Sequence, residues 1–202
     1  MGLTLKTPPV EEPVDRDMVK DHCRIHRDVT QFDVYLDQLI LSARGYVELF
    51  LRRQLLPATW RLVLDRPPRY RETTSGFSCE IWIPRPPLIE IVSVRYRGTD
   101  GVWTQLETTD FVTVTDFEPG KVYPAESLGG VWPGCSLEPG SFEVEFKAGY
   151  SDRTKVPQMI SIGICEIVRQ LFDGVELEKA IQGVHSLLYP YRCLDERTFT
   201  NA

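Results

Sequence analysis

Two histidines near the N-terminus are the residues best suited to hold a metal ion. His22 and His26 are four residues apart, a spacing that places two imidazoles on one face of a helix, where both can reach one metal. Cys23 is the nearest further ligand, but on a helix it points elsewhere. We therefore interpret the histidines as surface residues and predict no metal and no other cofactor.

Pairs of carboxylates are the next candidates, since acid–base catalysis needs two such groups held together. Glu143 and Glu145 alternate with apolar residues, which is typical of a strand with one solvated face. Asp110 and Asp116 lie on a similar strand-like segment. The sequence contains no P-loop, GxGxxG, GxSxG or HExxH motif. A hydrolase therefore has little support, and we predict that the protein is not an enzyme.

Aromatic residues suggest a different function. Trp82, Trp103 and Trp132 lie in or near strand-like segments. Large aromatic rings in strands usually fill a core, but exposed rings can form a platform for a sugar or peptide. This leaves one alternative function, a β-sandwich module that binds carbohydrate or peptide on a helical stalk.

Composition limits the remaining classes. The 202 residues include 29 acidic and 23 basic side chains, which gives a net charge of −6. We therefore do not expect the chain as a whole to bind nucleic acid through its charge. No apolar stretch approaches the length of a membrane span. The five cysteines are widely spread, which favours a reducing compartment such as the cytosol over a disulfide framework.

A helical period of apolar residues appears at both ends of the chain. It predicts helices over about 15–25, 30–54 and 157–173. Asp15 is the expected N-cap of the first helix, and Thr30 with Asp33 resembles a capping pair for the second. The segment 30–54 has the widest apolar stripe and is expected to pack on other helices or a sheet.

Between the helices the period changes to two. Short strands are predicted near 59–65, 80–83, 88–97, 102–106, 110–115, 121–123 and 142–147, and the polar stretch 69–79 is expected to be a loop. Such spacing is typical of a small antiparallel sandwich or barrel.

These elements predict an α+β fold in which a β domain is inserted into a helical bundle. The predicted parts are an extended N-terminal arm (1–13), the bundle (14–57 and 150–183), the β-sandwich or barrel (58–149) and an extended C-terminal tail (184–202). The start of that tail is a dense apolar patch. From the residues alone it either folds back on its own bundle or docks into a partner.

Several short motifs follow one another in a specific order and spacing along the chain. They are Ala43-Arg44, Tyr46-Val47-Glu48, Arg53-Gln54-Leu55-Leu56, Thr59-Trp60-Arg61-Leu62, Ile83-Pro84-Arg85-Pro86-Pro87-Leu88, Val92-Ser93-Val94-Arg95-Tyr96, Asp100-Gly101, Phe111-Val112-Thr113-Val114, Gly120-Lys121-Val122-Tyr123, Val131-Trp132-Pro133, Val144-Glu145-Phe146, Ala148-Gly149-Tyr150, Val156-Pro157 and Leu187-Leu188-Tyr189-Pro190-Tyr191-Arg192. This order resembles that of the head–tail connector (adaptor) proteins of long-tailed bacteriophages, and the resemblance runs from about residue 14 to 192.

The resemblance implies a structural, non-enzymatic virion protein at the head–tail interface, assembled in the host cytoplasm. Such adaptors form a ring, usually taken as twelve subunits, below the portal protein. The ring extends the DNA channel and provides the attachment surface for the tail. The implied partners are the portal, a tail-side connector or tail terminator protein and further copies of the chain; double-stranded DNA passes through without specific binding, and no membrane is involved.

The resemblance also implies site residues. In the family the C-terminal tail commonly reaches the portal, which here gives Val184, Leu187, Leu188, Tyr189, Tyr191 and Arg192 as predicted portal-docking residues. Charged residues of the second helix are predicted to bridge to a neighbouring subunit: Arg44, Glu48, Arg52 and Arg53. Twelve copies at −6 each would carry −72, and a channel lining of that sign would repel DNA and let it slide.

Overall fold

The computed structural model describes residues 2–69, 71–73 and 76–193 and divides them into two units. The helical unit consists of residues 9–56 and 150–193, and the β unit consists of residues 2–8 and 57–149. The chain passes from one unit to the other after Pro8, after Leu56 and after Gly149. The fold is of the α+β class, with antiparallel sheets and helices segregated along the chain, which confirms the predicted class.

The helical unit is built around one central helix. Its four helices are α1 (Arg16–His22), α2 (Asp33–Leu51), α3 (Gln158–Phe172) and α4 (Leu177–Leu188). Helix α3 contacts each of the other three. Its buried residues Ile160, Ile164 and Ile167 repeat at helical spacing, and Gly163 between them lets α4 approach closely, since a Cβ there would lie 2.9 Å from Leu188 Cδ2.

The starts of the first two helices differ in how they are capped. Asp15 caps α1 as predicted, accepting a hydrogen bond of 2.7 Å from the Met18 amide. The predicted Thr30 cap of α2 is wrong, because Phe32 occupies the N-cap position without a side-chain bond. The Asp33 carboxylate instead pairs with the buried Lys20 ammonium at 2.6 Å, which ties α1 to α2.

The predicted start of the extended C-terminal tail is wrong, because residues 184–188 belong to helix α4. Residues 184–188 are helical, not extended, because Ala180, Val184 and Leu188 recur every four residues and bury one face in the bundle. A short 3₁₀ turn, Tyr189–Tyr191, follows. The end of the predicted tail, 194–202, lies outside the described residues.

The β unit contains two main antiparallel sheets. Five strands are ordered β1-β2-β10-β6-β7, three are ordered β5-β9-β8, and β3 with β4 forms a separate hairpin. The described strands form no closed barrel. The bounds are β1 Gly2–Thr7, β2 Ala58–Leu64, β3 Arg71–Thr73, β4 Gly76–Ser78, β5 Ile81–Trp82, β6 Leu88–Arg97, β7 Trp103–Gln105, β8 Phe111–Val114, β9 Lys121–Pro124 and β10 Phe142–Ala148.

The core of the β unit lies on one face of the larger sheet. On the central strand β10, Val144 is paired with Leu62 on one side and Val94 on the other, and all three are buried. The Trp132 ring packs edge-on against Phe142, with ring centres 5.4 Å apart. On β10 the apolar residues of this core alternate with three charged residues on the other face of the sheet, Glu143, Glu145 and Lys147.

Two segments predicted to lack regular structure are strands. The stretch 69–79, predicted as a loop, contains β3 and β4. Residues 2–7 of the predicted N-terminal arm form β1, which pairs with β2 at the edge of the larger sheet. Most β1 side chains are exposed, so this strand has little of the apolar pattern that reveals a strand in sequence. None of the helices in the described part of the chain combines the length and apolarity that a membrane span requires.

Candidate functional site

The predicted portal-docking residues occupy different environments. Val184 and Leu188 are buried in the core of the helical unit. Leu187 is half-buried, whereas Tyr189 is 54% exposed. Two of the predicted residues therefore hold α4 in place, and a partner can reach the segment only through the others.

The residues after α4 are fastened to the end of α2. We refer to residues 189–193 as the terminal segment. The Arg53 Nε donates a hydrogen bond of 2.5 Å to the Tyr191 carbonyl, and the Cys193 amide donates one of 2.9 Å to the Leu51 carbonyl. These bonds involve the backbone of the terminal segment, so they hold its path without using the Tyr189 side chain.

Aromatic contacts support the same attachment. The His185 ring stacks on Phe50 with centres 4.5 Å apart, and its Nε2 lies 2.9 Å from the Tyr46 hydroxyl. The Arg192 guanidinium lies 5.4 Å from the centre of the Phe50 ring. The terminal segment is therefore held in a defined position at one end of the bundle.

The charges predicted for a subunit interface are engaged within the chain. The Arg44 Nε pairs with Glu12 at 2.7 Å, and its Nη1 pairs with Glu48 at 3.0 Å. The buried Glu48 also accepts hydrogen bonds from the Gln54 side chain (2.7 Å) and the Leu55 amide (3.1 Å). These groups stabilise the turn that follows α2, and their predicted role between subunits stays a prediction.

The other two predicted interface residues, Arg52 and Arg53, lie in that turn. Arg52 ends α2 in the left-handed region, with φ 54°. Arg53 follows it and bonds the terminal segment. Both arginines thus shape the junction between α2 and the end of the chain.

The two N-terminal histidines do not share a helix face. Helix α1 ends at His22, so His26 lies beyond it, and the premise of the metal hypothesis is wrong. His22 Nε2 is 3.2 Å from Glu166, and His26 Nδ1 is 3.2 Å from Asp28. Within residues 2–69, 71–73 and 76–193, no group of three or more His, Cys, Asp or Glu side chains could hold a metal ion.

Among the acidic side chains near these helices, Glu166 on α3 has the pKa that is shifted furthest from its ordinary value. Its carboxylate accepts hydrogen bonds from Arg169 at 2.6 and 2.9 Å and from Gln170 at 2.8 Å, and it faces His22 of α1. These contacts, chiefly the Arg169 bonds, lower the pKa of Glu166 to about 2. A carboxylate held this firmly ionised is a structural ion and a poor general base at neutral pH.

The carboxylates considered for catalysis are also structural. Glu143 was expected on a solvated face, but it is buried. It pairs with Arg95 Nε at 2.6 Å and lies 3.7 Å from Arg61 Nη1, so two neighbouring strands cover it. Asp110 caps a turn by accepting a hydrogen bond of 3.0 Å from the Glu107 amide.

The three tryptophans do not form a platform. Trp132 is buried, and its Nε1 donates a hydrogen bond of 2.7 Å to the Cys79 carbonyl. The Lys121 ammonium lies 3.9 Å from the centre of the Trp82 ring, on the smaller sheet. Trp103 is on β7 of the larger sheet. Because one ring is buried and the others lie on different sheets, the predicted sugar-binding platform is wrong.

A groove of about 360 Å³ is present elsewhere in the β unit. Prolines and the edge of Trp132 form its apolar wall, and Arg66 and Arg69 contribute guanidinium groups. Trp132, one of the three tryptophans of the predicted platform, is thus part of this groove, whereas Trp82 and Trp103 are not among its lining residues.

Comparison with known proteins finds the fold of this chain in solved structures of virus-like particles. Neither a protein-family model nor a curated protein matches the sequence. A chain in the neck of an empty GTA particle, computed with C6 symmetry, superposes with a TM-score of 0.74 at 20% identity over 96% of both chains. The shared feature is the fold.

Two further structures have the same fold. A chain of the virion of a native gene transfer agent (GTA) particle gives a TM-score of 0.71 at 18% identity, covering 96% of each chain. A chain in the neck of a native GTA particle, computed with C12 symmetry, gives 0.69 at 16% identity with the same coverage. The likeness therefore includes the helical elements and the inserted β elements, not one of them alone.

Proposed function

We propose that this protein is a head–tail connector (adaptor) that forms a twelve-subunit ring below the portal. The ring extends the DNA channel and offers the surface to which the tail attaches. The observation that carries the proposal is the fold shared over 96% of the chain with chains of particle necks, one computed with C6 and one with C12 symmetry. A twelvefold ring obeys both symmetries.

The order of motifs in the sequence supports the same function. The resemblance implies a helical bundle with an inserted β domain, and the observed elements follow this α-β-α order from α1 to α4. The protein is thus a structural component of the virion neck that is made in the host cytoplasm, and it needs neither catalysis nor a cofactor.

The negative net charge of the chain supports a channel that does not bind the DNA passing through it. Affinity for DNA depends on clustered basic side chains that displace counterions. This chain carries 29 acidic against 23 basic residues, so a ring of copies is negative overall. Double-stranded DNA passes through such a ring without specific binding.

We assign portal docking to those of the six predicted portal-docking residues whose side chains solvent can reach. Leu187, Tyr189, Tyr191 and Arg192 face or border solvent at the end of α4, whereas Val184 and Leu188 position them from the core. The contacts of Arg53 with the terminal segment present these residues as an ordered surface. The tail-side connector or tail terminator protein binds another face of the ring.

Reconstitution with the cognate portal tests the function. We expect purified chain and portal to form a complex with twelve copies of the chain on each portal ring, visible by electron microscopy and countable by native mass spectrometry. Absence of any complex, together with normal particle assembly when the gene is deleted, would contradict the proposed function.

Point substitution tests the docking surface better than truncation from residue 184, because that truncation removes two core residues. Tyr189→Ser is expected to weaken portal binding at least about tenfold, the effect of losing about 1.4 kcal/mol of contact. Leu177→Ser is the matched control, since Leu177 is a similarly exposed apolar side chain of the helical unit, at 48% against 54% for Tyr189. Equal portal affinities for both variants would refute docking through the terminal segment.

A further inference from the structure

The solvent side of α2 is unusually apolar for a surface helix. Val34, Leu41 and Leu49 are each exposed over more than half of their surface. They lie opposite the buried face formed by Leu36 and Ile40 and their helical repeats. We refer to this surface as the outer stripe, which comprises Val34, Gln38, Leu41, Ser42, Gly45 and Leu49.

The outer stripe contains no charged residue. From Val34 to Leu49 it runs about 22 Å along the helix, at 1.5 Å per residue. The charged residues of α2 lie together on one flank: Asp33, Asp37, Arg44 and Glu48. A solvent-facing helix normally alternates charges on its outer side, so this surface departs from the usual pattern.

Gly45 at the middle of the outer stripe has no role within the subunit that explains it. A Cβ built on Gly45 meets no atom within 4 Å. Glycine inside a helix destabilises it relative to alanine. With Ser42 beside it, Gly45 leaves a shallow site where another backbone can approach closely.

We propose that the outer stripe packs against a second copy of this chain. Copies that each carry −6 repel one another, and the repulsion is smallest where the contact surface itself has no charge. A partner of opposite charge would instead be matched by charged side chains. The inference rests on the proposed ring function and identifies one face of its subunit contact.

The size of the outer stripe fits a ring contact better than a free dimer. A helix face about 22 Å long and about 10 Å wide offers roughly 220 Å², whereas stable pairs bury about 800 Å² on each partner. The outer stripe alone therefore does not hold two free copies together. In a cyclic ring each stripe meets a different face of the next copy, and closure adds the contacts around the circle.

Two substitutions test this contact without relying on one variant's folding. Leu41→Glu places a charge in the outer stripe, and Gly45→Leu fills the shallow site while improving helix propensity. Leu177→Glu is the matched control, because Leu177 is an exposed leucine on another helix of the same unit, at 48% against 53% for Leu41. Helical circular dichroism and thermal unfolding verify that each monomer folds.

The readout is the number of chains on each cognate portal ring, measured by native mass spectrometry across a concentration series. We expect wild type and Leu177→Glu to fill portals in an all-or-none manner. Both stripe variants should give partly filled portals and need at least about tenfold more protein for half-filling. Gly45→Leu should also unfold at a temperature equal to or above that of wild type.

All-or-none filling by Gly45→Leu at the wild-type concentration would overturn the inference and leave the proposed function intact. The same holds if Leu177→Glu loses filling as severely as the stripe variants, since the effect would then not belong to the outer stripe. Wild-type chain that never binds the portal would overturn both proposals.

Discussion

Replacing Glu166 of α3 with glutamine removes the negative charge of this side chain, so the substitution measures how much its ionic contacts contribute to stability. Hydrogen bonding, chiefly with Arg169, lowers the pKa of Glu166 from 4.5 to about 2. A full shift of that size corresponds to about 3 kcal/mol of stability. Solvent reduces this value, because the side chains of Glu166 and Arg169 are 28% and 37% exposed. We expect Glu166→Gln to lower the free energy of unfolding by about 1–2 kcal/mol at neutral pH.

The pH dependence of this loss has a definite sign. Because the folded pKa of Glu166 lies below the unfolded value, its stabilisation is complete above about pH 4.5 and disappears as the pH falls toward about 2. Wild type and Glu166→Gln should therefore differ at neutral pH and converge in acid. Since glutamine keeps the shape of the side chain and one acceptor oxygen, packing is largely unchanged.

Two optical signals show which of the two units the Glu166→Gln substitution destabilises. All four helices lie in the helical unit, so urea unfolding followed by circular dichroism reports on it. The β unit contains every tryptophan of the chain, so their fluorescence reports on the β unit: Trp60, Trp82, Trp103 and Trp132. We expect Glu166→Gln to shift the circular dichroism midpoint, with a smaller shift in the fluorescence midpoint.

Glu178→Gln serves as the control, because Glu178 is an exposed glutamate on α4. Surface changes of this kind usually alter stability by less than about 0.5 kcal/mol. The reasoning is refuted if Glu166→Gln costs no more than the control at neutral pH. It is equally refuted if the loss stays constant down to about pH 2, since a loss without pH dependence is one of packing.

Three other substitutions probe separate contacts. Gly163→Val forces α4 away from α3 and should cost about 1–3 kcal/mol by overpacking, measured as a lower thermal midpoint. Trp132→Phe leaves the buried Cys79 carbonyl without its donor and should cost about 1–3 kcal/mol in urea unfolding followed by the remaining tryptophans. Lys20→Met should raise the pKa of Asp33, which the Lys20 hydrogen bond chiefly lowers, and an NMR titration measures that rise.

Most of the strands and the long helix are predictable because strong local signals define them, whereas β1, β3 and β4 are not. On β10, apolar residues alternate over seven positions, and prolines follow the ends of β2 and β5. The apolar repeat of α2 is equally clear, but its last turn was predicted three residues too long, because Arg52 adopts a left-handed conformation that its side chain does not reveal.

The candidate site was less predictable, because burial depends on tertiary neighbours. A dense apolar segment at the end of the chain was visible, but nothing in the sequence separates Leu188, which packs on α3, from Tyr189, which faces solvent. Similarly, the sequence predicts Arg44 and Glu48 as subunit-interface charges, and it does not reveal that Arg44 pairs with the distant Glu12 or that Glu48 accepts a bond from the Leu55 amide. Distant pairing of this kind leaves no periodic signal.

The positions of β10 and α3 have a consequence for synthesis on the ribosome. The central strand of the larger sheet and the central helix of the bundle are neighbours in sequence, Phe142–Ala148 and Gln158–Phe172. The core of the β unit cannot close before β10 has been translated, and that of the helical unit cannot close before α3, which takes on the order of ten seconds at ~5–20 residues per second. Until then β2 and β6 each expose the edge that pairs with β10, and α2 has only α1 to pack against, so unpaired strand edges and apolar surface of the nascent chain are open to aggregation.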